Sequence, residues 1–133
     1  MPETYCLHWP DSELAGVTED PSMGLRLRFA AAFCHRATDG VAGYLRPIEL
    51  VFHAATWRGD DPALCLGGIA HGSLLVDGIP VGAAAHALAL PLEARGATVC
   101  EFRLISGTAL RIEAQAVTAR LGDGVCFHES FAC

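Results

Sequence analysis

Histidines, cysteines and a serine stand at spacings that invite chemistry in three places. Cys6 and His8 near the start, and Cys126 and His128 near the end, form two Cys-x-His pairs. Residues two apart on a strand share a face. If the first and last strands pair, four ligands suited to zinc converge on that face. Structural zinc sites usually place two or more residues between ligands and hold them in a turn, which these pairs lack. The expectation is therefore no bound metal, with the thiols and imidazoles carried by ordinary terminal strands.

The second place is Gly68-Ile69-Ala70-His71-Gly72-Ser73, the most unusual string in the chain. On a strand His71 and Ser73 share one face, the raw material of a base and a nucleophile, with a carboxylate from elsewhere to orient the imidazole. The G-x-S-x-G elbow of the α/β hydrolases is absent. Gly72 permits a close backbone approach. The alternative is a tightly packed strand with its polar side outward.

The third is a polar row made of Arg46, Glu49, His53, Glu101 and Arg103. If the sheet closes on itself, such a row lines a lumen and becomes a ligand site. Otherwise it is a solvated face held by cross-strand ion pairs. His128 and Glu129 are adjacent and point to opposite faces of a strand, which weakens them as an acid–base pair. Neither Gly67-Gly68 nor the Gly122–Gly124 pattern opens a helix, so no nucleotide motif is present and no cofactor is expected.

Composition narrows the partners. Net charge is −6 and the pI about 5.4. All nine basic residues are Arg; Lys and Asn are absent, a bias that GC-rich coding explains. A nucleic-acid footprint needs clustered cations and is not expected. A Lys Schiff base, a P-loop Lys and N-glycosylation are excluded outright. The longest apolar run, Ile79 to Leu92, contains Pro80, His86 and Pro91 and is too short and interrupted to span a bilayer as a helix, so no membrane partner is expected. The first fifteen residues carry Glu3, Asp11 and Glu13 instead of a basic and then apolar leader, which reads as a cytoplasmic chain. Six cysteines placed largely within strand-like runs then read as buried free thiols.

What must position these residues is a sheet. Leu25-Arg26-Leu27-Arg28-Phe29 and Leu110-Arg111-Ile112-Glu113-Ala114-Gln115 alternate apolar and polar residues, the two-residue period of a half-buried strand. Strands are predicted over Tyr5–Trp9, Leu25–Arg36, Tyr44–Trp57, Gly67–Val76, Ala97–Ile105, Ala109–Leu121 and Val125–Phe131. Pro47 forces an edge or a bulge, and a bulge is expected near Val117. Residues 10–24 read as a long acidic loop. Asp77-Gly78 is a hairpin turn whose partner strand starts at Ile79. Gly82–Leu90 is divided between helix and strand, with the Leu88, Leu90, Leu92 alternation favouring strand.

At 133 residues with a mean hydropathy of +0.35 and 52% hydrophobic residues, this is one domain, 1–133. Short strands without helices between them make an antiparallel all-β fold, a sandwich or partly closed barrel of seven or eight strands. The functional expectation is a small-ligand-binding or protein-interaction module. The alternative is a small β-barrel enzyme (a cyclase, isomerase or hydrolase) using His71 or His53 as acid–base. Unpaired edges and much apolar residue in a small domain favour a homodimer.

Overall fold

Thirteen consecutive residues, Gly24–Arg36, form the strand around which the molecule is built. Leu25, Leu27 and Phe29 alternate with Arg26 and Arg28, so one face is buried and the other wet. The computed structural model describes residues 4–20, 24–82, 87–119 and 126–129. They form twelve strands: β1 (Tyr5–His8), β2 (Glu13–Asp20), β3 (Gly24–Arg36), β4 (Ala42–Arg46), β5 (Ile48–His53), β6 (Thr56–Gly59), β7 (Gly67–Val76), β8 (Ile79–Pro80), β9 (Ala87–Leu90), β10 (Leu92–Leu104), β11 (Ala109–Ala119) and β12 (Cys126–Glu129). A single 3₁₀ turn, Pro62–Leu64, is capped by the Asp61 carboxylate accepting from the Ala63 amide. No helix among the described residues is long and apolar enough to cross a membrane.

Every pairing is antiparallel, and the all-β expectation holds. Six strands pair in a closed ring, β2-β3-β5-β11-β10-β7 and back to β2. Five strands form a second region, in the order β9-β1-β3-β4-β12. The long β3 belongs to both. On one edge it pairs with β2 and then with β1; on the other it pairs with β5 and then with β4.

Both junctions on β3 have a local cause. Pro47 separates β4 from β5, because its ring nitrogen has no hydrogen to give a ladder. On the other edge, the turn from β1 to β2 carries Ser12, only 1% exposed. Its hydroxyl donates to the His8 carbonyl at 2.6 Å and accepts from the Phe33 amide at 2.9 Å. Its carbonyl accepts from the Ile69 amide at 2.9 Å. One serine thus joins β1, β3 and β7 where their ladders part.

The ring interior is filled by Leu25, Leu27, Phe29, Leu50, Phe52, Cys100, Phe102, Ile112 and Val117, all buried. Trp9, fully buried, packs 6.1 Å from Phe29 and lies flat against Gly72. A Cβ on residue 72 would overlap the indole. The close approach expected at Gly72 is therefore that of an aromatic ring, not of another backbone.

Several expectations are corrected. Residues 13–20 are β2 rather than loop. The bulge around Ala15 breaks the period, since Leu14 faces Phe29 and Gly16 faces Arg28. The run Tyr44–Trp57 is three strands, broken at Pro47 and at Ala54 and Ala55, where Ala54 has φ 53°. These breaks, with β2 and the short β8, raise the count from seven or eight to twelve. The irregularity expected near Val117 lies on the facing strand, at Gly96 and Ala97, opposite Ala114–Ala116. The Asp77-Gly78 turn forms as expected, with φ of 52° and 79°, the two positive values of a type I′ hairpin. Its second strand ends at Pro80, and Ala87–Leu90 pairs with β1 instead. Of the divided segment 82–90, residues 83–86 lie outside the described residues, as do 120, 121, 125, 130 and 131 of the two strands predicted last.

Two substitutions test this framework. Gly72→Ala is expected to cost about 1–3 kcal/mol by overpacking, read as a lower urea midpoint. The cost should shrink when Trp9→Leu makes room in the same chain. Ser12→Ala orphans the Phe33 amide and is expected to cost about 1–3 kcal/mol; a midpoint equal to that of the parent protein contradicts the joint described above.

Candidate functional site

The outward faces of β7, β10, β11 and β6 carry polar side chains in register. His71 pairs with Arg103, which pairs with Ala109. One step along, Ser73 pairs with Glu101, Glu101 with Arg111, and Arg111 with Arg58. Inward neighbours Phe102, Leu110 and Ile112 are buried, so alternation holds these rows outside the ring. Together they border an open cleft of about 570 Å³, completed by Gly59, Gly72, Phe102, Ala109 and Leu110. Gly72 serves both sides of the sheet: Trp9 covers its inner side while the cleft lies over its outer one.

The cleft has an internal charge order. Arg111 holds the Glu101 carboxylate and stands 3.6 Å from Glu113; Arg58 reaches the other oxygen of Glu113, also at 3.6 Å. Among the described residues Arg103 and His71 have no ion-pair partner. Three arginines face one glutamate around the cleft, in a chain of net charge −6. No hydrogen bond among the described residues joins His71 to Ser73 or to a carboxylate. The parts of a nucleophilic triad are near one another but are not linked as one.

Sequence reasoning had placed His71 and Ser73 in one set, and Glu101 and Arg103 in another; the register brings all four together. The remaining members of the polar row lie elsewhere. Glu49 is on β5, 3.5 Å from Arg26, which is also 3.4 Å from Asp20. His53, also on β5, has its Nε2 3.1 Å from the Thr118 hydroxyl and borders a separate cavity of about 410 Å³ with Glu93, Arg95 and Gln115. Arg46 on β4 borders a third, of about 260 Å³, with Ala31, Tyr44 and His128. Arg58 and Arg111 had not been singled out. Arg111 lay in plain view in an alternating run, but its alignment with Glu101 depends on the β10–β11 register. Arg58 lies just past the strand predicted to end at Trp57 and belongs to the edge strand β6.

The Cys-x-His pairs do not converge. β1 and β12 are not neighbours: β3 and β4 stand between them, which separates the pairs by roughly 14 Å at three strand spacings. His8 meets His35 instead, Nε2 to Nδ1 at 2.8 Å. No group of three or more His, Cys, Asp or Glu side chains suited to a metal occurs among the described residues.

Among the described residues no disulfide joins Cys6, Cys34, Cys65, Cys100 and Cys126. Burial, and then the neighbouring Cys6, pushes the Cys34 thiol up to about 12. Burial raises Cys100, with Glu101 adding to it, and raises Cys65, with Asp60 and Asp61 adding to it. The thiolate is the reactive form, so these three thiols stay protonated and inert near neutral pH. Comparison with family models, with curated proteins and with solved structures finds no match for this chain.

The cysteine environments give a direct measurement. Iodoacetamide at mildly alkaline pH should label the exposed Cys126 in the native protein and leave Cys34 and Cys100 unlabelled until unfolding. Peptide mass spectrometry that finds Cys34 or Cys100 labelled as fast as Cys126 contradicts the assigned burial.

Proposed function

We propose that this chain is a small-ligand-binding β module whose ligand is a small organic anion, held in the cleft of β6, β11, β10 and β7. The observation that carries the reading is the local excess of arginine in an otherwise acidic chain. A cation already satisfied by carboxylates offers little to a ligand. Arg103 is not so occupied among the described residues, and its planar fork suits a carboxylate or phosphate. His71, its cross-strand partner, supplies a second donor, and the Ser73 hydroxyl a third. Arg111 and Arg58, engaged with Glu101 and Glu113, set the positive field and fix the carboxylates. A volume of about 570 Å³ is within the range of small-molecule sites.

The test is thermal unfolding with inorganic phosphate or citrate against chloride at matched ionic strength. Binding to the folded state raises the midpoint by mass action. The expected result is a rise with phosphate or citrate that is lost in Arg103→Gln combined with His71→Gln. Equal midpoints in all three salts, or a rise that persists in the variant, defeats the reading.

The enzyme alternative draws on the same cleft, where His71 and Ser73 share an outward face. It predicts turnover of an activated ester such as p-nitrophenyl acetate that is abolished by both His71→Gln and Ser73→Ala. The homodimer is proposed on the free edges: among the described residues β12 pairs only with β4, β6 only with β11, and β9 only with β1. Sedimentation equilibrium at micromolar concentration should give twice the 14.0 kDa chain mass; a single species at the chain mass defeats it.

A further inference from the structure

The outer face of the β9-β1-β3-β4-β12 region is chemically unlike the rest of the chain. Leu7, Ala32, Cys34, Leu45, Leu88 and Leu90 point into the core. Alternation then turns Cys6 and His8 of β1, Phe33 and His35 of β3, Tyr44 and Arg46 of β4, and Cys126 and His128 of β12 the other way. β9 contributes Ala87 and Ala89. Among the described residues these five strands place no carboxylate on this face, although the chain has fifteen; Glu13 of β2, paired with Ala31, adjoins it.

Its aromatic side chains are in line. Phe33 pairs across the strands with Tyr44, and Tyr44 with His128. The Phe33 and Tyr44 rings are 5.3 Å apart; His35 and His8 stand 5.6 and 5.9 Å from Phe33. His8 and His35 face each other through ring nitrogens 2.8 Å apart, so one donates and the other accepts. That contact fixes both rings against Phe33. At the other end of the line the small side chain of Ala31 leaves a cavity of about 260 Å³ beside Tyr44, with Arg46 and His128 on its border. Among the described residues neither Arg46 nor His128 has an ion-pair or hydrogen-bond partner.

We propose that this cavity is a second binding site, for a planar aromatic anion. The ligand ring packs on Tyr44 over Ala31, and its anionic group is held by the Arg46 guanidinium and a ring N–H of the His128 imidazole. Aromatic faces accept any flat ring, and an arginine fork selects a planar or tetrahedral anion. The charged and titratable groups facing the site are Tyr44 and Arg46 on β4, His35 on β3, Cys6 and His8 on β1, Cys126 and His128 on β12, and Glu13 on β2, the cross-strand partner of Ala31; β9 offers none.

Heteronuclear NMR titration of the full chain with benzenesulfonate, a planar aromatic anion, tests this. Neutral benzenesulfonamide is the control for the ring, and inorganic phosphate the control for the anion. Benzenesulfonate should move the amide signals of Ala31, Tyr44, Arg46 and His128 in a saturable way. Arg46→Gln or His128→Gln should weaken it about tenfold, the loss of one charge-assisted hydrogen bond. Both side chains are exposed, so each variant should keep the dispersed spectrum of the parent. Tyr44→Phe keeps the ring and should keep binding. Arg103→Gln should leave this titration unchanged even if it abolishes binding in the other cleft. Equal shifts with the sulfonamide, shifts that persist in Arg46→Gln, or shifts confined to the Arg103 cleft overturn the proposal. Line broadening of this face with protein concentration and no ligand overturns it too, by assigning the face to a second copy.

Discussion

One strand must satisfy two differently directed ladders on each edge, and the structure depends on how that is managed. β3 gives its first half to the ring and its second half to the open region. Backbone groups left unpaired where ladders part are costly when buried. Ser12 supplies a donor and an acceptor at that gap, bonding the Phe33 amide and the His8 carbonyl with one hydroxyl. An apolar residue there would leave both groups without these bonds, and a longer polar side chain would not fit a site only 1% exposed. The turn that delivers Ser12 also delivers Trp9, whose indole closes the interior over Gly72.

The cleft inherits its geometry from this interior. His71, Ser73, Glu101, Arg103 and Arg111 border one cleft only because β7, β10 and β11 hold a fixed register. The buried residues between them, Phe102, Leu110 and Ile112, hold that register. A slip of one residue would bring these apolar side chains to the surface and bury the arginines. The cost of an unpaired buried guanidinium makes such a slip very unfavourable. Polar positioning outside is thus enforced by apolar packing inside.

Local signals in the chain were legible where a single rule governed them. Alternation revealed the runs from Leu25 and from Ala109, and the two positive backbone angles demanded at Asp77-Gly78 revealed its turn. Legibility failed where two rules competed. In β2 the bulge at Ala15 shifts Leu14 and Val17 from a two-residue to a three-residue spacing, which hides the strand among acidic neighbours. In 44–57 the even-numbered alternation of Tyr44, Ile48, Leu50 and Phe52 runs across Pro47 and masks the break there. The site was legible in its residues but not in its grouping. His71 and Ser73 are two positions apart, whereas their partners Glu101 and Arg103 come from thirty residues further on, through a register that no local pattern encodes. The same reason separates the two Cys-x-His pairs: strand order, not strand content, places β3 and β4 between them.

The two proposed sites are connected through consecutive residues of one short segment. Successive side chains on a strand point to opposite faces. His8 therefore lies on the outer aromatic face against His35, while Trp9 turns inward to back the floor of the arginine cleft at Gly72. Ser12, four residues after His8, ties its carbonyl to the Phe33 amide and, through its own carbonyl, reaches the Ile69 amide two residues before His71. Sites that looked unrelated in the sequence thus share a support of a few residues. Neither can be repositioned without moving the turn from β1 to β2, and that turn is held by the packing of Trp9 and by the bonds of one buried serine.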